Sequence, residues 1–155
     1  GLGEALALAD DEVERERQVS LRDALRDRLA ALGGVVVNGA VDGSPHVLNV
    51  AFAGVHGDAL RSRLADLNVS FGSACSGRAG ASHVLRAMAR PDALADAAVR
   101  FSLGRFTTPA DIDFIVERVA SDVAALRAIS PVWREIRAGR KLSDVYGVTT
   151  LPELA

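Results

Sequence analysis

The stretch Val99-Arg100-Phe101-Ser102-Leu103-Gly104-Arg105-Phe106-Thr107-Thr108-Pro109-Ala110-Asp111 holds a strand, a turn and a helix start in succession. Val99, Phe101 and Leu103 alternate with Arg100 and Ser102, the period-2 pattern of a strand with one apolar face. Gly104 to Thr107 reads as a turn. Thr108 is a natural N-cap, Pro109 fits the first helical position, and Asp111 stands where a capping box needs an acceptor. The helix that follows carries Ile112, Ile115, Val116, Val119, Val123 and Leu126 along one face until Ser130-Pro131 breaks it. Val132 to Ala138 predicts a further short helical segment. Gly139 to Ala155 is either a docking tail or a partly mobile terminus.

Upstream, a long helix is expected from about Glu4 to Leu32, with Leu21, Leu25, Leu29 and Leu32 at helical spacing. Its middle, Asp10 to Ser20, is dense in charge, which predicts a solvated face and an Asp11–Arg15 pair. Gly33-Gly34 ends the helix, and Val35-Val36-Val37 opens a strand that stops near Asn38-Gly39. A turn-rich segment, Ala40 to Pro45, leads to a second strand. There Leu48, Val50 and Phe52 face one side and Val47, Asn49 and Ala51 the other. A helix from about Gly57 to Leu67, an extended piece at Val69-Ser70-Phe71 and a short helix capped by Ser82 complete the chain before Pro91. Neighbouring strands joined by a turn favour antiparallel pairing, with the helices covering one face, so the fold class is α+β.

Cys75 is the only cysteine, in Ser70-Phe71-Gly72-Ser73-Ala74-Cys75-Ser76-Gly77-Arg78. A lone thiol has no intrachain disulfide partner and lacks the companions of a cysteine metal site. Gly72 and the surrounding small residues let the backbone bend, so the loop could carry a thiolate to a substrate held elsewhere. Simple burial is the alternative. Arg100 projects away from the apolar face of its strand. It is either a surface or salt-bridged arginine or a planar fork for a carboxylate; Arg105, at the turn, carries the same ambiguity. Arg78 has either a direct role or solvates the loop. Asn49 is off the apolar face and serves backbone hydrogen bonds on the simplest reading.

A formal charge of -2 and a pI of about 5.9 give no broad electrostatic case for nucleic acid or an anionic membrane. No apolar segment is long enough to span a bilayer. A single cysteine suits a reducing compartment, here taken as the cytoplasm. His46, His56 and His83 are scattered rather than clustered, and no phosphate loop or dinucleotide fingerprint occurs. The start, Gly1-Leu2-Gly3-Glu4-Ala5, lacks an initiator methionine and runs into a helical pattern. Processing or derivation from a larger protein is expected.

Ordered motifs over roughly residues 1 to 135 make the chain resemble the C-terminal part of a pyridoxal-phosphate-dependent cysteine desulfurase of the housekeeping or nitrogen-fixation type, in the class V aminotransferase family. They are Gly1-Leu2-Gly3-Glu4-Ala5, His46 to Phe52, Gly72-Ser73-Ala74-Cys75-Ser76, Ser82-His83-Val84-Leu85-Arg86-Ala87-Met88, Arg100 to Thr108 and Ser130-Pro131-Val132-Trp133. The resemblance implies the small C-terminal domain of a fold-type I enzyme, an antiparallel-rich sheet covered by helices. Residues 1–32 would form a connecting helix, 33–135 a small α/β domain with the cysteine loop, and 136–155 a C-terminal tail.

It also implies roles. Cys75 matches the mobile-loop cysteine that attacks the substrate sulfur and becomes a persulfide. Arg100 matches the arginine that holds the carboxylate of L-cysteine, which is converted to L-alanine. The persulfide sulfur would pass to an iron-sulfur scaffold or another acceptor, with residues beyond Trp133 the region expected to dock it. The complete enzyme would be a homodimer with pyridoxal 5'-phosphate. The family's cofactor lysine lies in an N-terminal domain that nothing here matches. Lys141, the sole lysine, falls outside that motif. The chain alone is therefore expected to hold neither cofactor nor activity. A sulfur carrier or scaffold-binding module without catalysis, and a selenocysteine lyase, are the alternatives.

Overall fold

In the computed structural model the described residues are 1–4, 11–40, 42–72 and 82–148. In chain order the elements are α1 (Glu12–Ala30), β1 (Val35–Asn38), β2 (Val47–Phe52), α2 (Gly57–Arg63) and β3 (Ser70–Phe71). They continue with α3 (His83–Ala87), α4 (Asp92–Asp96), β4 (Ala98–Ser102), α5 (Pro109–Ala128), α6 (Pro131–Arg137) and α7 (Leu142–Tyr146).

The strands form one antiparallel sheet in the order β1-β2-β4-β3. β1 and β2 are a hairpin. The chain then makes an excursion through α2, β3 and α3–α4 before β4 inserts between β2 and β3. Register follows the apolar alternation: Val35 faces Phe52, Val37 faces Val50, and Leu48 faces Phe101. A one-residue slip would turn these side chains out of the core.

That core face packs under α1 and α5. Leu25, Leu29, Val50, Phe52, Val99, Val119 and Val123 are all but fully buried there. Thr108 and Asp111 form the expected capping box at the start of α5. The charged part of α1 differs from expectation. Asp11 does not pair with Arg15; its carboxylate caps the helix by accepting from the Val13 and Glu14 amides, and Arg15 pairs with Glu12. An N-cap aspartate satisfies otherwise orphaned amides, which an exposed ion pair cannot match. Nor is the face wholly solvated: Arg17 donates to the carbonyls of Thr107 and Arg105 at 2.6 and 2.9 Å, tying α1 to the β4–α5 turn.

The expectation that helices cover one face of the sheet is corrected. Part of the second face, at Val36, Ala51 and Ala98, is covered by Leu85 of α3 and by Leu94 and Ala95 of α4, with Ile136, Leu142 and Tyr146 packed against them. The residues there are small, so short helices approach closely. α4 and α7 were not expected from sequence, because five-residue helices leave too little periodicity to read. α2 stops at Arg63, short of the expected Leu67.

The segment after Ser130 is docked through Val148. Arg127 is buried at the end of α5 and donates to the carbonyls of Ala53, Leu32 and Gly34 at 3.0, 3.2 and 2.9 Å. Its guanidinium lies 3.6 Å from the centre of the Trp133 ring. Gly34 and Gly54, with φ of 58° and 74°, leave the space that Trp133 fills; a Cβ on either would lie within 3 Å of it. The Gly54 amide donates to the Tyr146 hydroxyl at 2.8 Å, fixing α7 to the same corner.

Candidate functional site

The second face of the sheet divides in two. Beyond the apolar patch, the strand register aligns Asn38, Asn49, Arg100 and Ser70 across β1, β2, β4 and β3. Residues directly opposite on neighbouring strands keep their Cβ atoms about 5 Å apart, so these side chains form one polar row. Arg100 is exposed, and among the described residues its guanidinium has no hydrogen-bond or ion-pair partner. Most other arginines here are engaged: Arg17 with Glu14, Arg26 with Asp23 and Asp27, Arg63 with Asp122, Arg86 with Asp92, and Arg118 with Asp66 and Asp122. Among the described residues, then, no structural salt bridge holds Arg100 in place.

The rest of the row is organised. Asn38 donates its side-chain amide to Asn49 Oδ1 at 2.8 Å and accepts from Arg90 Nε at 2.7 Å. Asn49 therefore bonds a neighbouring side chain in addition to its strand pairing. Arg90 arrives from a tight turn after α3. Ala89 takes a left-handed φ of 56°, and the Arg90 amide donates back to the Leu85 carbonyl at 2.9 Å, the six-to-one bond of a Schellman turn. Burial pushes the Arg90 guanidinium down from its ordinary pKa. No carboxylate pairs with Arg90 among the described residues. A cavity of about 340 Å³ opens beside this network, lined by Arg22, Arg26, Asn38, Asn49 and Arg90 among others.

Cys75 and Arg78 lie outside the described residues. The strand that precedes them is described. Ser70 of β3 stands opposite Arg100, and the chain leaves the sheet after Phe71. Whatever its conformation, Cys75 is tethered within about 18 Å of Ser70, the fully extended reach of the intervening residues. Arg105 is exposed in the turn after β4, where its carbonyl accepts from Arg17. The apolar cavity of about 360 Å³ between Val55, Leu126, Ile129, Val132 and Tyr146 contains none of the expected site residues.

The aminotransferase class-V family model matches residues 1–115. Cysteine desulfurase IscS of Methylococcus capsulatus is 44% identical over 149 residues, covering 94% of this chain and 37% of the relative. The chain belongs to the aminotransferase class-V family. Cysteine desulfurase IscS of Vibrio campbellii is likewise 44% identical over 149 residues, with the same coverage. The chain thus spans little more than a third of the length of the cysteine desulfurases it matches. Two solved structures share the fold. A NifS-like protein gives a TM-score of 0.64 at 24% identity over 78% of this chain and 31% of that one. The NifS-like protein of Rickettsia africae gives 0.58 at 20% identity over 71% and 29%. The α+β layer is thus the part of the class-V fold that this chain supplies.

Pyridoxal phosphate, the cofactor implied by this family, does not find a seat in the described residues alone. The only lysine, Lys141, is exposed at the N-cap of α7, outside the polar row. No helix among the described residues is long and apolar enough to cross a membrane. Asn38 and Arg90 were the residues that sequence reasoning missed. Asn38 shares the parity of Val36, off the Val35–Val37 face, and that parity was its available signal. Arg90 had none, because its place follows from a turn.

Proposed function

We propose that this chain is the thiol-bearing C-terminal portion of a cysteine desulfurase that converts L-cysteine to L-alanine and carries the sulfur as a persulfide on Cys75. The observation that carries this reading is Arg100, an exposed cation with no ionic partner among the described residues, on the open half of the sheet and opposite Ser70 in the two-residue strand from which the Cys75 segment departs. A guanidinium fork binds a carboxylate through two parallel charged hydrogen bonds. Fixing one end of the substrate leaves its sulfur to be met by a tethered thiolate.

In the transfer, Cys75 Sγ attacks the substrate sulfur. An S–S bond forms as the substrate C–S bond breaks. The carbon skeleton keeps the bonding pair and takes up a proton, becoming alanine. Carbon is reduced and sulfur rises to the persulfide level, so no external oxidant is needed. Pyridoxal phosphate supplies the electron-withdrawing chemistry when bound, and the remainder of the protein would seat it. On this reading the isolated chain is inactive until that remainder is supplied. The complete enzyme would act as a cytoplasmic homodimer. Its persulfide would pass to an iron-sulfur scaffold or another acceptor, with the region beyond Trp133 as the docking area.

The test compares the chain with the chain plus the N-terminal portion of a class-V cysteine desulfurase, both with pyridoxal phosphate and L-cysteine. Alanine formation and cofactor absorbance only in the mixture are expected. Turnover by the chain alone would overturn the division of labour, and none in either sample would favour a sulfur carrier. In the active mixture, Cys75→Ser should abolish persulfide while leaving folding intact; retained sulfur transfer would remove Cys75 from the role.

A further inference from the structure

The row beside Arg100 has a polarity that can be deduced rather than assigned. A guanidinium has donors and no acceptor. The Asn38 atom facing Arg90 Nε must therefore be its oxygen, at 2.7 Å. That turns the Asn38 NH2 toward β2, so the Asn49 atom that meets it, at 2.8 Å, must again be oxygen. The Asn49 NH2 is then turned away from Asn38, toward the β4 side where Arg100 stands directly opposite. Among the described residues nothing accepts from it; the 340 Å³ cavity lies on the other side of Asn49, toward Asn38 and Arg90, and Arg100 does not line it. Asn/Gln orientation is commonly ambiguous, but here a donor-only residue at the end of the chain removes the ambiguity.

We propose that Asn49 is a second donor to the carboxylate held by Arg100, and that Arg90 and Asn38 are positioning residues that lock its NH2 toward that anion. This rests on the reading of Arg100 given above and adds a determinant of specificity to it. An unlocked asparagine presents oxygen as readily as nitrogen, and oxygen beside a carboxylate repels it. The relay excludes that state before the substrate arrives, so the site loses nothing to reorientation on binding. Arg90 suits the end of such a relay because it remains charged even though burial lowers its pKa.

The experiment uses the complete, cofactor-loaded enzyme and measures equilibrium binding by cofactor absorbance. L-alanine is compared with ethylamine, the same amine without a carboxylate. The ratio of the two affinities isolates recognition of the carboxylate, and ethylamine binding doubles as the control for folding. Asn49→Ala should lower the ratio about ten-fold, the usual worth of a hydrogen bond to a charged group, and raise KM for L-cysteine with little change in kcat. Asn38→Asp still accepts from Arg90 but cannot donate, so Asn49 must turn its NH2 inward and present oxygen to the substrate. Its ratio should fall at least as far as that of Asn49→Ala. Combining the two should be no worse than Asn49→Ala alone, because the misdirected oxygen is then gone.

Arg90→Lys keeps a donor and should preserve more of the ratio than Arg90→Met. That pair decides the relay if Asn38→Asp also loses ethylamine binding. Arg100→Ala separates the two levels of the argument. If it collapses the ratio while Asn49→Ala does not, the second donor is rejected and the arginine clamp stands. If Arg100→Ala leaves the ratio unchanged, the carboxylate reading itself is rejected. An unchanged ratio in Asn38→Asp, or equal ratios in Arg90→Lys and Arg90→Met, would reject the relay.

Discussion

The two faces of the sheet are built from the same strands and answer different demands. Toward α1 and α5, Val50, Phe52 and Val99 lie in a core closed to water. On the other face, Val36, Ala51 and Ala98 accept short helices over one half, and Asn38, Asn49, Arg100 and Ser70 leave the other half polar. Each strand contributes to both faces because its side chains alternate. Stability and chemistry are therefore separable residue by residue, and a substitution on one face should leave the property of the other nearly untouched.

The sharpest way to break that separation is Phe52→Ala. Removing a fully buried aromatic should cost about 3–5 kcal/mol, read as a lower urea midpoint. Arg100→Ala, on the exposed side, should move the same midpoint by no more than about 0.5 kcal/mol. A comparable loss from both would show that the polar row is structural. Next in size is Arg127→Met, which leaves the carbonyls of Ala53, Leu32 and Gly34 without their donor. A loss of about 3 kcal/mol is expected, with a change in Trp133 fluorescence as its ring loses the cation. An unaltered fluorescence spectrum would mean that Trp133 is held without Arg127.

Ala89→Gly works in the opposite direction. The left-handed φ of 56° strains an alanine and suits a glycine, so stability should rise by about 1 kcal/mol. A decrease would indicate that the Ala89 methyl packs usefully in the turn that presents Arg90. The smallest effect concerns Glu14, whose carboxyl is held down to about 2, chiefly by its hydrogen bonds from Arg17. A folded-state pKa below the unfolded one gives stability that is present above about pH 4.5. It fades as pH falls toward 2. Glu14→Gln should flatten the acid limb of the stability curve in that window and leave neutral pH almost unchanged. An identical acid limb would show that the Arg17–Glu14 contact is screened to insignificance.

Much of this architecture was legible in the sequence. Parity alone placed Asn49 and Arg100 off the apolar face, and Thr108 with Asp111 announced the start of α5. These signals are local: a strand alternates every two residues and a cap acts within one turn. The charge run of α1 was read less well, because Asp11 chose the helix end over Arg15 and Arg17 reached a turn distant in sequence.

The sequence by itself determined which residues face the core, where α5 begins, and that an unusual thiol segment and an off-face arginine share one chain. α1 was expected from Glu4 but starts at Glu12, because Asp11 takes an extended backbone and caps it. Tertiary structure alone decided that β4 lies between β2 and β3, and so that Asn49 and Ser70 flank Arg100. It also decided that Arg90, from a turn after α3, completes the row through Asn38, and that Arg127 gathers three carbonyls from separate segments. Periodicity specifies the direction in which a side chain points. Which neighbour it meets depends on strand order and chain reversals, set by contacts between residues far apart in sequence.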